Sequence, residues 1–267
     1  MQLALFQVDA FTDRALRGNP AAVMPLGAWL PDSMLQAVAD ENHLSETAFL
    51  VPSMEADIDF ELRWFTPVME VDLCGHATLA CAHVLFHHQR FAGNSIRFST
   101  KSGPIEVKRN GEDIVLDFPA RPAQPIPIPD QLAQALGAEP LEVFSARSLL
   151  VILRDEETVR ALAPDMTAIA SLDAMGVIAT APGRENDVDF VSRYFAPRAG
   201  INEDPVTGSA HCTSAPYWAE RLGVQELSAR QVSARGGRLR CVIQGDRVLI
   251  SGRAVTYLDG TVTLPEV

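Results

Sequence analysis

Hydrophobic and polar positions along the chain predict short strands interrupted by a few helices. Residues 3–11 alternate apolar and polar side chains, which predicts a half-buried strand. Residues 30–41 open with proline and aspartate and then repeat apolar side chains on one face, which predicts a helix. Further strands are predicted at 48–51, 58–65, 95–99, 103–109, 114–118, 148–154, 176–180 and 187–195, with three short strands closing the chain. Shorter helices are predicted at 130–136 and 166–174, and the stretch 17–20 is predicted as a turn.

Two further helices are predicted to lie inside the protein. The first begins at Gly75 and runs to about His87, and the second spans 209–222. The first is apolar on nearly all sides, which is typical of a helix buried on most of its surface. Each follows a predicted strand, so the two regions have the same local plan.

An internal repeat strengthens this similarity. The sequence RWFTP at 63–67 is matched by RYFAP at 193–197, and each copy precedes an acidic stretch, a glycine and a helix rich in small residues. The repeat predicts a duplicated enzyme whose halves are related by a pseudo-two-fold axis. Five prolines within 119–129 predict a linker, because proline fixes φ and lacks a backbone donor. We therefore expect an N-terminal lobe over 1–118, completed by a final strand at 255–267, and a C-terminal lobe over 130–254.

Composition narrows the classes of function. The chain has 34 acidic and 22 basic residues and a net charge of −12, without basic runs, so nucleic acid and anionic membranes are unexpected partners. Its four cysteines form no C-x-x-C pair, and no signal peptide or long apolar segment is visible, which predicts a cytoplasmic protein. Nucleotide-binding glycine motifs do not occur. The pair His83 and His87 has helical spacing but no metal-binding motif around it, so no metal site is predicted.

The glycines that precede the two apolar helices suggest a binding site for an anion. Helix N-termini carry unpaired N–H groups and a partial positive charge, so the starts at Gly75 and Gly208, facing each other, would cradle a carboxylate in a cleft between the halves. Glu46, His76 and Asp204 are ionisable groups near these starts. On spacing alone each has a structural alternative: a surface carboxylate, a capping or core histidine, and an N-cap.

Five motifs occur in a fixed order along the chain. They are Asn19-Pro20-Ala21, Asn42-x-x-Ser45-Glu46-Thr47, Phe65-Thr66-Pro67, Cys74-Gly75-His76-Ala77-Thr78 and Glu203-Asp204-Pro205-Val206-Thr207-Gly208-Ser209-Ala210. This set resembles the phenazine-biosynthesis PhzF-like family, whose relatives include diaminopimelate epimerase. The similarity spans nearly the whole chain.

The resemblance implies an α+β fold of two lobes, each a curved mixed sheet or barrel around a central helix. It implies an isomerase that moves a proton on a small carboxylic acid, without a cofactor or metal, and a homodimer. The implied catalytic residues are Glu46, His76, Asp204 and Ser209. The implied substrate-binding residues are Asn19, Cys74, Gly75, Thr207 and Gly208.

One departure from the wider superfamily bears on mechanism. Epimerase and proline-racemase relatives use two cysteines, but here Cys74 matches the first position and Thr207 occupies the second. A threonine hydroxyl is too weakly acidic to replace a thiol as a base, so two-base racemisation is disfavoured and Glu46 is expected to act alone. Two alternatives stay open: a proline-racemase-like dehydratase or epimerase that uses Cys74, and a non-catalytic binding or interaction protein.

Overall fold

The computed structural model describes residues 1–265, which form two compact units. One unit comprises residues 1–117 together with the segment from Ser251 onward, and the other comprises residues 118–250. In chain order the elements are β1 (Gln2–Ala10), β2 (Asn19–Pro25), α1 (Asp32–Asn42), β3 (Glu46–Pro52), β4 (Phe60–Phe65), β5 (Glu70–Val71), α2 (Gly75–His87), β6 (Ser95–Ser99), β7 (Ile105–Asn110), β8 (Asp113–Pro119), β9 (Gln124–Ile126), α3 (Leu132–Leu136), β10 (Glu142–Ser145), β11 (Leu149–Ile152), α4 (Glu156–Ala161), α5 (Met166–Ser171), β12 (Val177–Pro182), β13 (Phe190–Ala196), β14 (Ile201–Asp204), α6 (Gly208–Leu222), β15 (Glu226–Gln231), β16 (Gly237–Gln244), β17 (Arg247–Gly252) and β18 (Ala254–Thr263).

The N-terminal unit is a mixed sheet built around α2. Its strands pair in the order β18–β1–β2–β3–β4–β6–β7–β8, and the short β5 pairs with β4. The pairs β2/β3 and β4/β6 are parallel, and the others are antiparallel. Helix α2 is buried from Gly75 through Phe86 and packs against β1, β2, β3 and β18. Its lack of a polar face follows from this burial on all sides.

The C-terminal unit repeats the same plan. Its strands pair in the order β9–β10–β11–β12–β13–β15–β16, with β14 paired to β13. The parallel pairs are β11/β12 and β13/β15, at the positions that correspond to β2/β3 and β4/β6. Helix α6 packs against β12, β15 and β16. The predicted architecture of two similar α+β units, each a mixed sheet with one central helix, is therefore confirmed.

The repeat seen in the sequence corresponds to a repeated set of contacts. In the N-terminal unit, Arg63 donates two hydrogen bonds to the carboxylate of Glu70, at 2.8 and 2.9 Å, and its guanidinium lies over the ring of Phe65. In the C-terminal unit, Arg193 donates two hydrogen bonds to Glu203, at 2.7 and 2.9 Å, and covers the equivalent phenylalanine. Each pair ties the strand before a central helix to the short strand that leads into it. The motif thus fixes the approach to each helix start.

The structure differs from the predicted elements at several places, and it contains four elements that were not predicted at all, which are β5, β10, β14 and α4. The segment 17–20 was predicted as a turn, yet Asn19 begins β2, which lies between β1 and β3. The predicted linker 119–129 contains β9, which pairs with β10 inside the C-terminal unit, because a short edge strand tolerates proline. The chain closes with four strands rather than three, and the last one, β18, pairs with β1 along its length. Residues 266–267 of the predicted final strand lie outside the described residues.

Within residues 1–265, no helix is both long enough and apolar enough to cross a membrane.

Candidate active site

Glu46 is the first residue of β3 and is held by a tight connection from α1. Helix α1 ends at Asn42, and His43 adopts a left-handed conformation with φ of 49°, which stops the helix. The side chain of Asn42 donates a hydrogen bond to the hydroxyl of Thr47 at 3.1 Å. In the sheet, Glu46 lies opposite Ala21 of β2. Residues 43–45 therefore form a short turn, and it places the buried carboxylate of Glu46 at the start of β3.

The side chain of Glu46 meets two residues at the start of α2. Nε2 of His76 lies 3.1 Å from Oε2 of Glu46, and Nδ1 of His76 lies 3.5 Å from Sγ of Cys74. All three residues are buried. Although the contact between His76 and Glu46 is close enough for an ion pair, Oε2 of Glu46 completes no hydrogen bond of good geometry within the described residues. The carboxylate is thus left with bonding capacity for a ligand.

Cys74 precedes α2 without capping it through its side chain. Its backbone is extended, with φ of −141° and ψ of 108°, and its thiol makes no capping hydrogen bond. Instead the carbonyl oxygen of Cys74 accepts hydrogen bonds from the amide and the hydroxyl of Thr78, at 3.1 and 2.6 Å. The sulfur contacts His76, at the end of the helix that carries partial positive charge.

The same three side chains are of the kinds that bind zinc. Their donor atoms lie within 4.8 Å of one another, and Cys, His and Glu are all ligands for Zn²⁺. However, the imidazole of His76 presents one nitrogen to the sulfur and the other to the carboxylate. A cation would need these ligands on the same side of the ring, whereas a chain of thiol, imidazole and carboxylate suits proton transfer. The geometry therefore favours acid–base chemistry over metal binding.

The C-terminal unit has its own polar cluster at the start of α6. Asp204 ends β14 and is buried, and the hydroxyl of Thr207 donates to its Oδ2 at 2.5 Å. Thr207 is extended and precedes Gly208, the first residue of α6. Ser209 follows and is half-buried. Because the hydroxyl proton of Thr207 is directed at Asp204, Thr207 is placed as a hydrogen-bonding group rather than as a base.

Two residues of this cluster were missed in the sequence. Gln231, fully buried at the end of β15, donates to the carbonyl oxygen of Asp204 at 2.7 Å and accepts from the amide of Thr207 at 2.8 Å. His211 lies within hydrogen-bonding distance of the carbonyl oxygen of Thr207, at 2.8 Å, and burial lowers its pKa to about 4, so the imidazole is neutral. Strand β15 alternates exposed polar residues with buried apolar ones, and only the polar Gln231 at a buried position of this alternation could have been noticed, because the closing strands carried no motif.

The structure thus gathers the predicted residues into two sets. Glu46, Cys74, Gly75 and His76 lie together in the N-terminal unit, and Asn19 lies at the same end of the neighbouring strand β2, fully buried. Asp204, Thr207, Gly208 and Ser209 lie together in the C-terminal unit. The expectation that both sets face one cleft stays a prediction.

Comparison with known proteins identifies the family. The family model for phenazine biosynthesis-like proteins matches residues 8–260. The chain belongs to this family. An uncharacterized isomerase of Pseudomonas aeruginosa is 54% identical over 264 residues, which cover 99% of this chain and 100% of that relative. The crystal structure of a PhzF-family protein from Enterococcus faecalis superposes with a TM-score of 0.94 at 47% identity, covering 99% and 100% of the two chains.

A more distant structure supports the fold alone. A hydroxyproline epimerase from Agrobacterium vitis matches 99% of this chain and 93% of its own, with a TM-score of 0.65 at 13% identity. Together these comparisons confirm the PhzF-like resemblance, the diaminopimelate epimerase-like fold and the enzyme class, an isomerase.

Proposed function

We propose that this protein is a cofactor-independent isomerase that moves a proton within a small carboxylic acid, with Glu46 as the acid/base. The observation that carries this proposal is the buried carboxylate of Glu46, whose Oε2 completes no hydrogen bond among the described residues and lies 3.1 Å from Nε2 of His76. The oxygen Oε2 therefore has a lone pair left for a proton of the substrate. Glu46 is also held on a strand, which keeps it in position.

The reaction needs one group that both removes and returns a proton. Glu46 takes a proton from a carbon conjugated with the substrate carboxylate, and the electron pair of that C–H bond stays in the conjugated acid. The N–H groups at the start of α2 and a proton on Nε2 of His76 stabilise the negative charge that builds up. Protonated Glu46 then returns the proton to another carbon on the same face. The result is a 1,3 or longer hydrogen shift.

The C-terminal cluster supports a different role, in binding. We propose that the amides at the start of α6, together with the hydroxyl of Ser209, hold an anionic group of the substrate, since helix N-termini favour carboxylates. Asp204, which accepts a hydrogen bond from the hydroxyl of Thr207, fixes the conformation of that start. Thr207 takes the position of the second cysteine of the epimerase relatives and is too weakly acidic to act as a base, which supports transfer by one group.

A second candidate rests on the sulfur of Cys74, which lies 3.5 Å from Nδ1 of His76. In a proline-racemase-like dehydratase or epimerase, this thiol would be the base and Glu46 would only orient His76. Cys74→Ala would then abolish turnover while Glu46→Gln would leave most of it. The opposite result supports the isomerase.

The experiment is a screen of small carboxylic acids in deuterated water. The wild type is expected to incorporate deuterium into at least one acid, detected as a mass increase and as the loss of a proton NMR signal. Glu46→Gln is expected to slow this exchange by about 10²–10⁴-fold, the usual worth of an acid/base group. Glu41→Gln removes the same charge from an exposed position and is the matched control. An acid that binds both proteins but exchanges in neither would indicate a non-catalytic binding protein.

Two further proposals concern the oligomeric state and the cellular location of the protein. We propose a homodimer on the strength of the family resemblance, and a cytoplasmic location because the four cysteines form no C-x-x-C pair and no dense spacing. Light scattering of the purified protein tests the oligomeric state, and a tagged chain in cell fractions tests the location.

A further inference from the structure

We propose that Cys74 shares a proton with Glu46 through the imidazole of His76, so that a proton leaving the thiol is matched by one reaching the carboxylate. This inference rests on the proposed function of Glu46 and adds a residue to it. The three groups lie in one line of contacts: Sγ to Nδ1 at 3.5 Å, and Nε2 to Oε2 at 3.1 Å. Acid–base contacts that are imperfectly aligned without substrate commonly tighten when it binds.

The line of contacts permits two arrangements with the same number of protons. In the first, the thiol of Cys74 donates to bare Nδ1, and Nε2–H donates to the carboxylate of Glu46. In the second, the sulfur is a thiolate that accepts from Nδ1–H, and Glu46 is a carboxylic acid that donates to bare Nε2. Conversion moves one proton from sulfur to Nδ1 and one from Nε2 to Oε2. The total charge and the number of protons do not change.

The position of Cys74 makes the thiolate arrangement accessible. Cys74 is the residue directly before the first residue of α2, and the partial positive charge at a helix N-terminus favours a thiolate. The other three cysteines lack this setting. Burial raises the pKa of the Cys212 thiol to about 12, and it raises the pKa values of Cys81 and Cys241 as well. Cys74 is therefore the one thiol of the four placed to exchange its proton with a neighbour.

The two arrangements give Glu46 both of the forms that an isomerase needs. In the first it is a base, ready to take a proton from the substrate. In the second it is an acid, ready to donate one, and the thiolate of Cys74 holds the charge. The reaction can therefore begin either with the removal of a proton from the substrate or with the donation of one to it. Cys74 acts here through His76, as a positioning and proton-sharing residue.

The test is the rate at which iodoacetamide alkylates Cys74, measured by peptide mass spectrometry between about pH 6 and pH 9. Glu46→Gln cannot accept the proton from Nε2, so we expect alkylation near pH 7 to slow at least about tenfold, equivalent to a rise of one unit in the pKa of the thiol. Simple electrostatics predicts the opposite, because removing a negative charge should favour the thiolate. The sign of the change therefore separates the two explanations.

Further variants define the chain of contacts. His76→Asn should slow alkylation as much as Glu46→Gln, and the double variant should be no slower than either single one, because each change breaks the same unit. Glu46→Asp keeps a proton acceptor and should restore part of the rate. Glu41→Gln should react like the wild type, and a metal chelator should change nothing. Cys74→Ala should show no alkylation, and the other three cysteines should stay unlabelled. This control confirms that the measured rate belongs to Cys74.

The outcomes separate this inference from the proposed function. Unchanged or faster alkylation in a folded Glu46→Gln variant, as judged by circular dichroism, would overturn the shared proton even if deuterium exchange is lost. Slower alkylation in a protein that exchanges no acid would support the shared proton and count against the isomerase. A rate that rises on chelation would overturn the inference in favour of a bound metal.

Discussion

The two units of this protein share one plan but place different chemistry on it. Strand register relates them directly: Thr47 lies opposite Phe65 in the N-terminal unit, and Val177 lies opposite Phe195 in the C-terminal unit. The residue before each of these positions is Glu46 in one unit and Gly176 in the other. The carboxylate of Glu46 therefore has no counterpart in the C-terminal unit.

The residues at the starts of α2 and α6 also differ in their chemistry. The corresponding pairs are Cys74 and Thr207, Gly75 and Gly208, His76 and Ser209, and, one strand earlier, Val71 and Asp204. The N-terminal set forms a chain of groups that can exchange protons. The C-terminal set consists of Thr207, Asp204 and Gln231, which bond to one another, with Ser209 next to Gly208 in the chain. The shared plan thus carries acid–base groups at one helix start and a hydrogen-bonded network at the other.

The largest expected effect tests this division of labour. Glu46→Gln should lower kcat by about 10²–10⁴-fold, because it removes the acid/base itself. Ser209→Ala, at the position equivalent to His76, should mainly raise KM, since its hydroxyl is assigned to binding. Steady-state kinetics on an acid found in the deuterium screen measures both. A fall in kcat for Ser209→Ala as large as that for Glu46→Gln would mean that both units take part in proton transfer.

The next effect concerns a buried histidine in each central helix. Burial is the main cause that lowers the pKa of His83 to about 4, aided by the nearby charges of His87 and His88, and burial lowers the pKa of His211 to about 4. A histidine with a lowered pKa binds fewer protons in the folded state than in the unfolded state. Stability is therefore complete above about pH 6.5 and falls as the pH drops toward 4, by about 3 kcal/mol per group.

Urea unfolding at several pH values checks this linkage in both helices. His83→Gln, which can still bond to the hydroxyl of Thr256 in place of the ring, should flatten the loss of stability between pH 6.5 and 4. His211→Asn, which can still donate to the carbonyl of Thr207, should do the same, and the two changes should add. His43→Asn changes an exposed histidine at a left-handed position and is the control. If both variants lost as much stability between pH 6.5 and 4 as the wild type, the loss would have to come from carboxylates instead.

The fold was largely predictable from the sequence, whereas the network of the C-terminal unit was not. Helix α2 could be predicted because a long, nearly apolar segment is typical of a buried helix. The repeat of arginine, aromatic residue and phenylalanine showed the duplication. Strand β2 was missed because Asn19-Pro20 is a turn signal locally, and only its place between β1 and β3 overrides it. The role of Gln231 could not be predicted because its partners are a backbone carbonyl 27 residues away and a backbone amide 24 residues away.

Gln231 itself offers the third prediction. Gln231→Met keeps the length of the side chain but leaves the carbonyl of Asp204 and the amide of Thr207 buried without this partner. Each such group costs about 1–3 kcal/mol, so we expect a lower free energy of unfolding by a few kcal/mol, measured in urea. Gln231→Glu keeps one acceptor for the amide and should lose less at low pH than at neutral pH. Equal stability of Gln231→Met and the wild type would show that the C-terminal network is not a fixed support.

The smallest effect concerns the glycine that corresponds to Glu46. A Cβ built on Gly176 would lie 2.5 Å from the carbonyl oxygen of Phe195 and 2.9 Å from the hydroxyl of Tyr194, so the backbone itself excludes a side chain there. Gly176→Ala should lower stability by about 1–3 kcal/mol through overpacking, measured by urea or thermal unfolding. Glu46→Ala, at the equivalent position, should be tolerated far better, because it removes a buried carboxylate and adds no atoms. If Gly176→Ala were as stable as the wild type, the absence of a second acid/base could not be attributed to space, and the difference between the units would lie in their residues alone.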